Sequence, residues 1–519
     1  MLKYLAFFLL LLATIAACSA NDSATPTGSG LTYVTVTPIP PTPSPTPVFT
    51  RDLSPFYPTL KPGFQTELDA QAALGITRYQ IAAQLLPASL TPPADPRLQG
   101  TMQVQYTNRE TVLLNQIYLR LFPNTVGYGG AMNVSRVIIA GQAVQTTLLA
   151  NNSALFVPLP RALEPGQTVE LSLDYDLQLP TSTGPGSGLL GYDQTILSLA
   201  GFYPTIPVFD QQGWHLEEAP HFVDAVYTDV ALYEVSLTLP ANLVAVTSGS
   251  IVQTTPNPDG SQTVRALGGP MRDFFIALSP NYQTLSREQG GTLINSTFLS
   301  GYQAQGEAVL EIGINALATF ESLFGPYPYR EFDLVAVPVP LTLGGVEYPG
   351  LIAMAARYYS QDDTFLEFVT VHEVAHQWWY GLVGNDQVTH PWLDEALTQY
   401  SVIHYYEAVY GPQRRAEIIA EMFSPFYWQL QNTGGNRPVY GPAAGFDELL
   451  YYPVVYGKGP LFFEAVRNRL GDEGYLAALR YYAQTYRYGL ATPRDLLQAF
   501  EQVGGQSVED LYQEWIIEP

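Results

Sequence analysis

The chain has 519 residues, 47% of them hydrophobic and only 13% charged, the make-up of a packed globular protein with room for roughly two to four domains. A disordered chain and a disulfide-stapled miniprotein are excluded, the latter because Cys18 is the one cysteine. The 23 Lys and Arg against 47 Asp and Glu leave a net charge of −24, so the surface repels phosphate backbones and nucleic acid is not expected as a partner.

In chain order, Met1-Leu2-Lys3 precedes an apolar run from Tyr4 to Ala17, shorter than the ~20 residues needed to span a bilayer. This predicts an export signal. The sequence Ile15-Ala16-Ala17-Cys18 resembles the lipobox of bacterial lipoproteins, which implies a signal peptide over 1–18, acylation of Cys18 and a lipid-anchored position on a membrane outside the cytoplasm. Cleavage elsewhere and free secretion is the alternative. The segment 19–62 is expected to be a Ser/Thr/Pro-rich linker, because from Ser19 to Thr50 most positions are Ser, Thr, Pro or Gly and offer too little apolar surface to fold.

Over 63–285 the dominant period is two. Val169, Leu171, Leu173 and Tyr175 alternate with polar residues, as do Met102, Val104 and Tyr106, and Tyr233, Val235 and Leu237. An N-terminal antiparallel β domain follows. Over 286–519 a strand-like Thr292 to Leu299, a helical Ala304 to Phe324 and a strand-like Phe332 to Pro338 lead into mostly helical sequence. The fold class is therefore α+β and multidomain, with the α-rich part last.

Phe365, Phe368, Val369, His372, His376 and Trp379 recur at helical spacing, so one helix face carries both histidines. His-Glu-x-x-His places the two imidazoles one turn apart, able to share one Zn²⁺ at ~2.0–2.1 Å, with Glu373 alongside. A third protein ligand is needed, and Glu395, on a second helical pattern beyond the glycine-containing turn that follows His376, is the candidate.

These residues resemble the M1 metallopeptidases, zinc aminopeptidases of the gluzincin group, whose motif is H-E-x-x-H and then, at this same separation, Glu. The resemblance implies His372, His376 and Glu395 as ligands to one zinc per chain, and Glu373 as general base. Gly344-Gly-Val-Glu-Tyr348 is similar to the family's exopeptidase signature, which makes Glu347 the anchor for a substrate's free amine, with Gly344 and Gly345 admitting the peptide. Val455-Tyr-Gly-Lys-Gly459 is similar to the block carrying the catalytic tyrosine, here Tyr456. Gly325-Pro-Tyr-Pro328 and Phe332 to Pro338 are similar to the strand block before the site. The implied C-terminal fold is thermolysin-like, and the implied substrates are peptides with a free N-terminus.

This sequence departs from the family pattern at Val346 and Tyr348. Tyr203 lies near the place where many members supply a second amine anchor, leaving that anchor unassigned. An endopeptidase on the same scaffold and an inactive surface binding protein are the competing readings. Oligomeric state is not indicated.

Overall fold

The computed structural model describes residues 49–50, 52–86, 95–182, 188–193, 195–341, 343–360 and 364–519. The expected signal peptide, Cys18 and the linker up to residue 48 lie outside the described residues. In the first half, alternating sequence becomes alternating burial. In Thr77–Leu85, the side chains of Tyr79, Ile81, Ala83 and Leu85 are buried while Ala82 and Gln84 between them face solvent. That strand belongs to an eight-stranded sheet ordered Ser250–Pro256, Ser261–Met271, Ala231–Pro240, Thr77–Leu85, Arg97–Thr107, Thr168–Gln178, Ala131–Ile139, Gln142–Ala143. Neighbours are antiparallel except Thr77–Leu85 on Ala231–Pro240, which run parallel from Thr77 opposite Ala231. Gly100 sits under the Tyr175 ring, where any Cβ would collide with the ring, so only glycine lets the two strands keep this contact.

The second half is built on a five-stranded sheet ordered Tyr282–Gln289, Thr292–Leu299, Glu331–Val337, Leu351–Ala355, Gly345–Tyr348. The helix Gln303–Phe324 crosses between the parallel strands Thr292–Leu299 and Glu331–Val337, and its buried Val309, Leu310, Leu317, Phe320 and Phe324 form the face toward the core. Tyr282–Gln289 pairs along its whole length with Thr292–Leu299, so the expected domain boundary at 285/286 falls inside a strand of the second half.

The chain from Asp52 to Pro519 forms one compact unit. Part of the reason is that the end of the expected linker is packed. Leu53, Phe56 and Leu60 are buried, Lys61 bonds Glu321 at 2.6 Å, and Arg330 Nε donates to the Leu60 carbonyl at 3.0 Å. The burial of these three apolar side chains, with the two polar contacts, docks a stretch that the expected linker included. Arg272, 1% exposed, donates to the carbonyls of Tyr380, Thr228 and Gly489, tying the β half to the helical half beside the site.

Candidate metal centre

The helix Thr364–Ala375 is apolar on nearly every side and buried, and it brings His372 to its last turn. The regular helix ends at Ala375, yet His376 N–H still donates to the His372 carbonyl at 3.3 Å, which keeps the two rings one above the other. Their Nε2 atoms lie 3.2 Å apart. Glu395, in the first turn of the helix Trp392–Tyr410, places Oε2 3.4 Å from each Nε2. Two ligands about 2.1 Å from a tetrahedral ion stand about 3.4 Å apart, so this triangle of buried donors has the size a zinc ion requires. Among the described residues, Glu395 Oε2 has no hydrogen-bond partner beyond its contacts with the two imidazoles that share the triangle, a buried oxygen suited to a cation. His376 Nδ1 donates to the Trp379 carbonyl at 2.9 Å, which leaves the Nε2 lone pair facing the triangle. The donor set fits one divalent ion.

Burial pushes the carboxyl of Glu373 well above its ordinary range, aided by Glu347, Asp224 and Glu395. Burial would raise Glu395 as well, but the adjacent His372 and His376 imidazoles prevail and hold it low. Glu347 is raised to about 8, first by burial and then by Asp224 and Glu395. Asp224 is raised to about 7 by burial and by Glu395.

Glu347 lies on the edge strand Gly345–Tyr348, buried, and Tyr348 stacks on Phe275 at 4.3 Å. Gly344 and Gly345 make room for the helix that carries the histidines. A Cβ on Gly345 would lie 2.7 Å from Glu373 Cγ, and one on Gly344 2.8 Å from Val369. Tyr456 lies in the π-helical turn Pro453–Lys458, half-buried, stacked on Tyr452 at 4.7 Å and with its ring 5.9 Å from that of His372. Lys458 Nζ donates to the carbonyls of Arg437 and Glu518, which anchors the same turn. Tyr203 is fully buried against Tyr79 and Tyr233 and donates to Asp273 at 3.2 Å, so it is a core residue of the β half.

Glu347, a ligand atom of which lies within 4.8 Å of a His376 ring nitrogen, also lines a cleft whose walls include Tyr348, Asp224, Tyr128 and Asp273. Asp224 comes from the irregular segment 215–230 of the β half, where Phe222 meets Tyr451 edge-on at 5.7 Å. Neither Asp224 nor Gln387, which bonds Glu347 at 3.3 Å, carries a spacing signal. Both arrive by tertiary folding. Asp394 carries one, its position next to Glu395 in Trp-Leu-Asp-Glu.

A β half joined to a helical half, with two helices presenting His, His and Glu to a common point, is the architecture of a metallopeptidase. Residues 308–515 match the sequence model described as Peptidase family M1 domain. Aminopeptidase M1-A of Oryza sativa subsp. japonica is 25% identical over 310 residues, covering 55% of this chain and 34% of that protein. Aminopeptidase M1 of Arabidopsis thaliana is 24% identical over 300 residues, with the same coverage. The chain thus spans about a third of the length of these curated relatives. Among solved structures, the M1 zinc metallopeptidase from Deinococcus radiodurans superposes with a TM-score of 0.63 at 21% identity, covering 85% of this chain and 93% of that one. A mutant of the same protein bound to a Tyr-Ser-Ala substrate gives 0.64, again at 21% identity, covering 85% and 94%. The fold class expected from the sequence is the fold of these structures.

Proposed function

We propose that the chain is a zinc-dependent aminopeptidase that removes N-terminal residues from peptides. The observation that carries this reading is the triangle of His372, His376 and Glu395 at 3.2–3.4 Å, with buried Glu347 lining the cleft. When bound, zinc supplies Lewis acidity that acidifies a water and polarises a peptide carbonyl. Glu373 takes a proton from that water and returns it to the departing amine, a role suited to a carboxyl whose burial gives it a high proton affinity. Tyr456 O–H donates to the carbonyl oxygen as it gains charge. Glu347 accepts from the substrate's α-ammonium and fixes the peptide so that its first bond meets the reacting groups.

The purified full-length chain is expected to cleave an aminoacyl anilide and to leave its N-acetyl form largely untouched. Equal rates on both would favour the endopeptidase reading, and no cleavage of either would favour a binding protein. Glu373→Gln is expected to lower kcat by ~10²–10⁴ with zinc content unchanged. Undiminished activity in that variant would remove Glu373 as the base.

The enzyme is further proposed to be tethered outside the cytoplasm through acylated Cys18, on the strength of the apolar run and lipobox-like residues before it. Cys18→Ser should move the protein from the membrane fraction to the soluble one. A variant that still sediments with membranes would contradict the anchor.

A further inference from the structure

The turn between the two ligand-bearing helices carries Gln387, 3% exposed. Its Oε1 accepts from the backbone N–H of Val226 at 2.8 Å. An N–H can face only the oxygen end of the amide, so this bond decides the orientation and turns Nε2 with both its hydrogens the other way. There Nε2 donates to Glu347 Oε1 at 3.3 Å and to Asp394 Oδ2. Three separate pieces of the chain meet on this one side chain: the edge strand Gly345–Tyr348, the first turn of Trp392–Tyr410, and the segment of the β half that borders the cleft.

The two acceptors are close to each other. Single ligand atoms of Glu347, Asp394 and His376 all lie within 4.8 Å of one another. Two buried carboxyl groups at that range cannot both carry charge cheaply, and a donor held between them favours keeping them together. Asp394 is pinned a second time by the N–H of Glu395 at 2.9 Å, so its position is set by its own helix. For Glu347, Gln387 supplies a side-chain donor to Oε1 from the side of the helix, while Glu347 also lines the cleft.

We propose that Gln387 is the positioning residue of the amine subsite: it bridges Glu347 and Asp394, takes its orientation from Val226, and thereby aims Glu347 at the α-ammonium of the substrate. The proposal rests on the aminopeptidase reading above. It also gives the β half a part in exopeptidase selection through a backbone N–H, a contact that no side-chain motif reveals. Gln387→Met keeps the volume and removes both donors, and Gln387→Asn keeps the amide but is one methylene too short to reach both carboxylates.

The test is a KM and kcat comparison of the full-length wild type and both variants. The substrates are an aminoacyl anilide with a free α-amine and the same compound with hydrogen in place of the amine, with zinc per chain measured alongside. In both variants KM for the free-amine substrate should rise on the order of tenfold, as for loss of a charged hydrogen bond. Its kcat should stay within about threefold, and zinc content and kcat/KM for the desamino substrate should match wild type. An unchanged KM, or equal losses on the two substrates, overturns the role of Gln387. A wild type that does not distinguish the two substrates overturns the aminopeptidase reading itself, and the positioning role falls with it. Should Gln387→Met fold poorly, the amide-preserving Gln387→Asn still decides the question by the same two criteria.

Discussion

Around His376 stand the carboxyls of Glu347, Glu373, Asp394 and Glu395, all buried. Burial pulls the His376 imidazole down, yet Glu347, Glu395 and Glu373 raise it well above its ordinary value. A site so acidic accommodates added positive charge, first a divalent ion and then an ammonium group. Tyr456 supplies the complementary element, a neutral donor whose O–H burial keeps protonated. Tyr456→Phe should therefore lower kcat by ~10²–10³, or ~2.7–4 kcal/mol of transition-state stabilisation, with KM changed little, as steady-state kinetics on an aminoacyl anilide will read. A KM effect of the same size would make Tyr456 a substrate-binding group instead. At this scale the sequence is most transparent where spacing carries the chemistry. His372 and His376 are one helical turn apart in any helix, so their convergence is legible without a structure. Gln387 and Asp224 are not, because the groups they meet, Glu347 and Glu395, belong to distant stretches of the chain and nothing local demands them.

At the scale of elements, the helix Trp392–Tyr410 does two jobs at once. Its first turn presents Glu395, and further along His404 is buried against Phe324, Tyr400 and Tyr475. Burial first, then Arg467 and Arg415, lower His404 to about 3 from 6.5. The native state therefore excludes a proton that the unfolded chain binds, and the linkage has a definite sign. His404 makes no difference above pH 6.5, and stability falls by about 1.4 kcal/mol per pH unit as pH drops from there toward about 3. His404→Phe should flatten that slope. The check is the difference in unfolding free energy between wild type and variant from about pH 7 to 4, where parallel curves would show that His404 is not the titrating group.

Element boundaries are less legible than the elements themselves. Gln303–Phe324 and Thr292–Leu299 agree closely with their periodicity. Tyr282–Gln289, by contrast, reads like one more strand of the β half, and only its partner Thr292–Leu299 assigns it to the second sheet. In the same way, the parallel pairing of Thr77–Leu85 with Ala231–Pro240 joins strands far apart in the chain, a topology that alternation cannot report.

For the whole molecule, the metal centre is also a structural tie. Its donors come from two helices, and the acidic residues around them come from both halves, so an ion bound to the folded chain alone adds stability by mass action. Removing it with a chelator should lower Tm, and zinc in excess should restore it. At free zinc about 1,000-fold above Kd the contribution is about 4.1 kcal/mol. A Tm indifferent to chelation would mean that the acidic cluster is stable without a cation, against the repulsion inferred from its geometry. The docked stretch from Leu53 to Lys61 belongs to this scale too, because Leu60 pairs with Tyr329 across more than half the chain. Composition alone assigns that stretch to a linker, and its three buried apolar side chains show where the folded body begins.

That His372, His376 and Glu395 hold one zinc ion between them is tested most directly by anomalous diffraction at the zinc edge from crystals of the purified protein, without reference to activity. A single strong peak per chain is predicted, about 2.0–2.2 Å from His372 Nε2, His376 Nε2 and a Glu395 carboxylate oxygen. A peak elsewhere, or Glu395 turned away from the two imidazoles, would contradict the assignment.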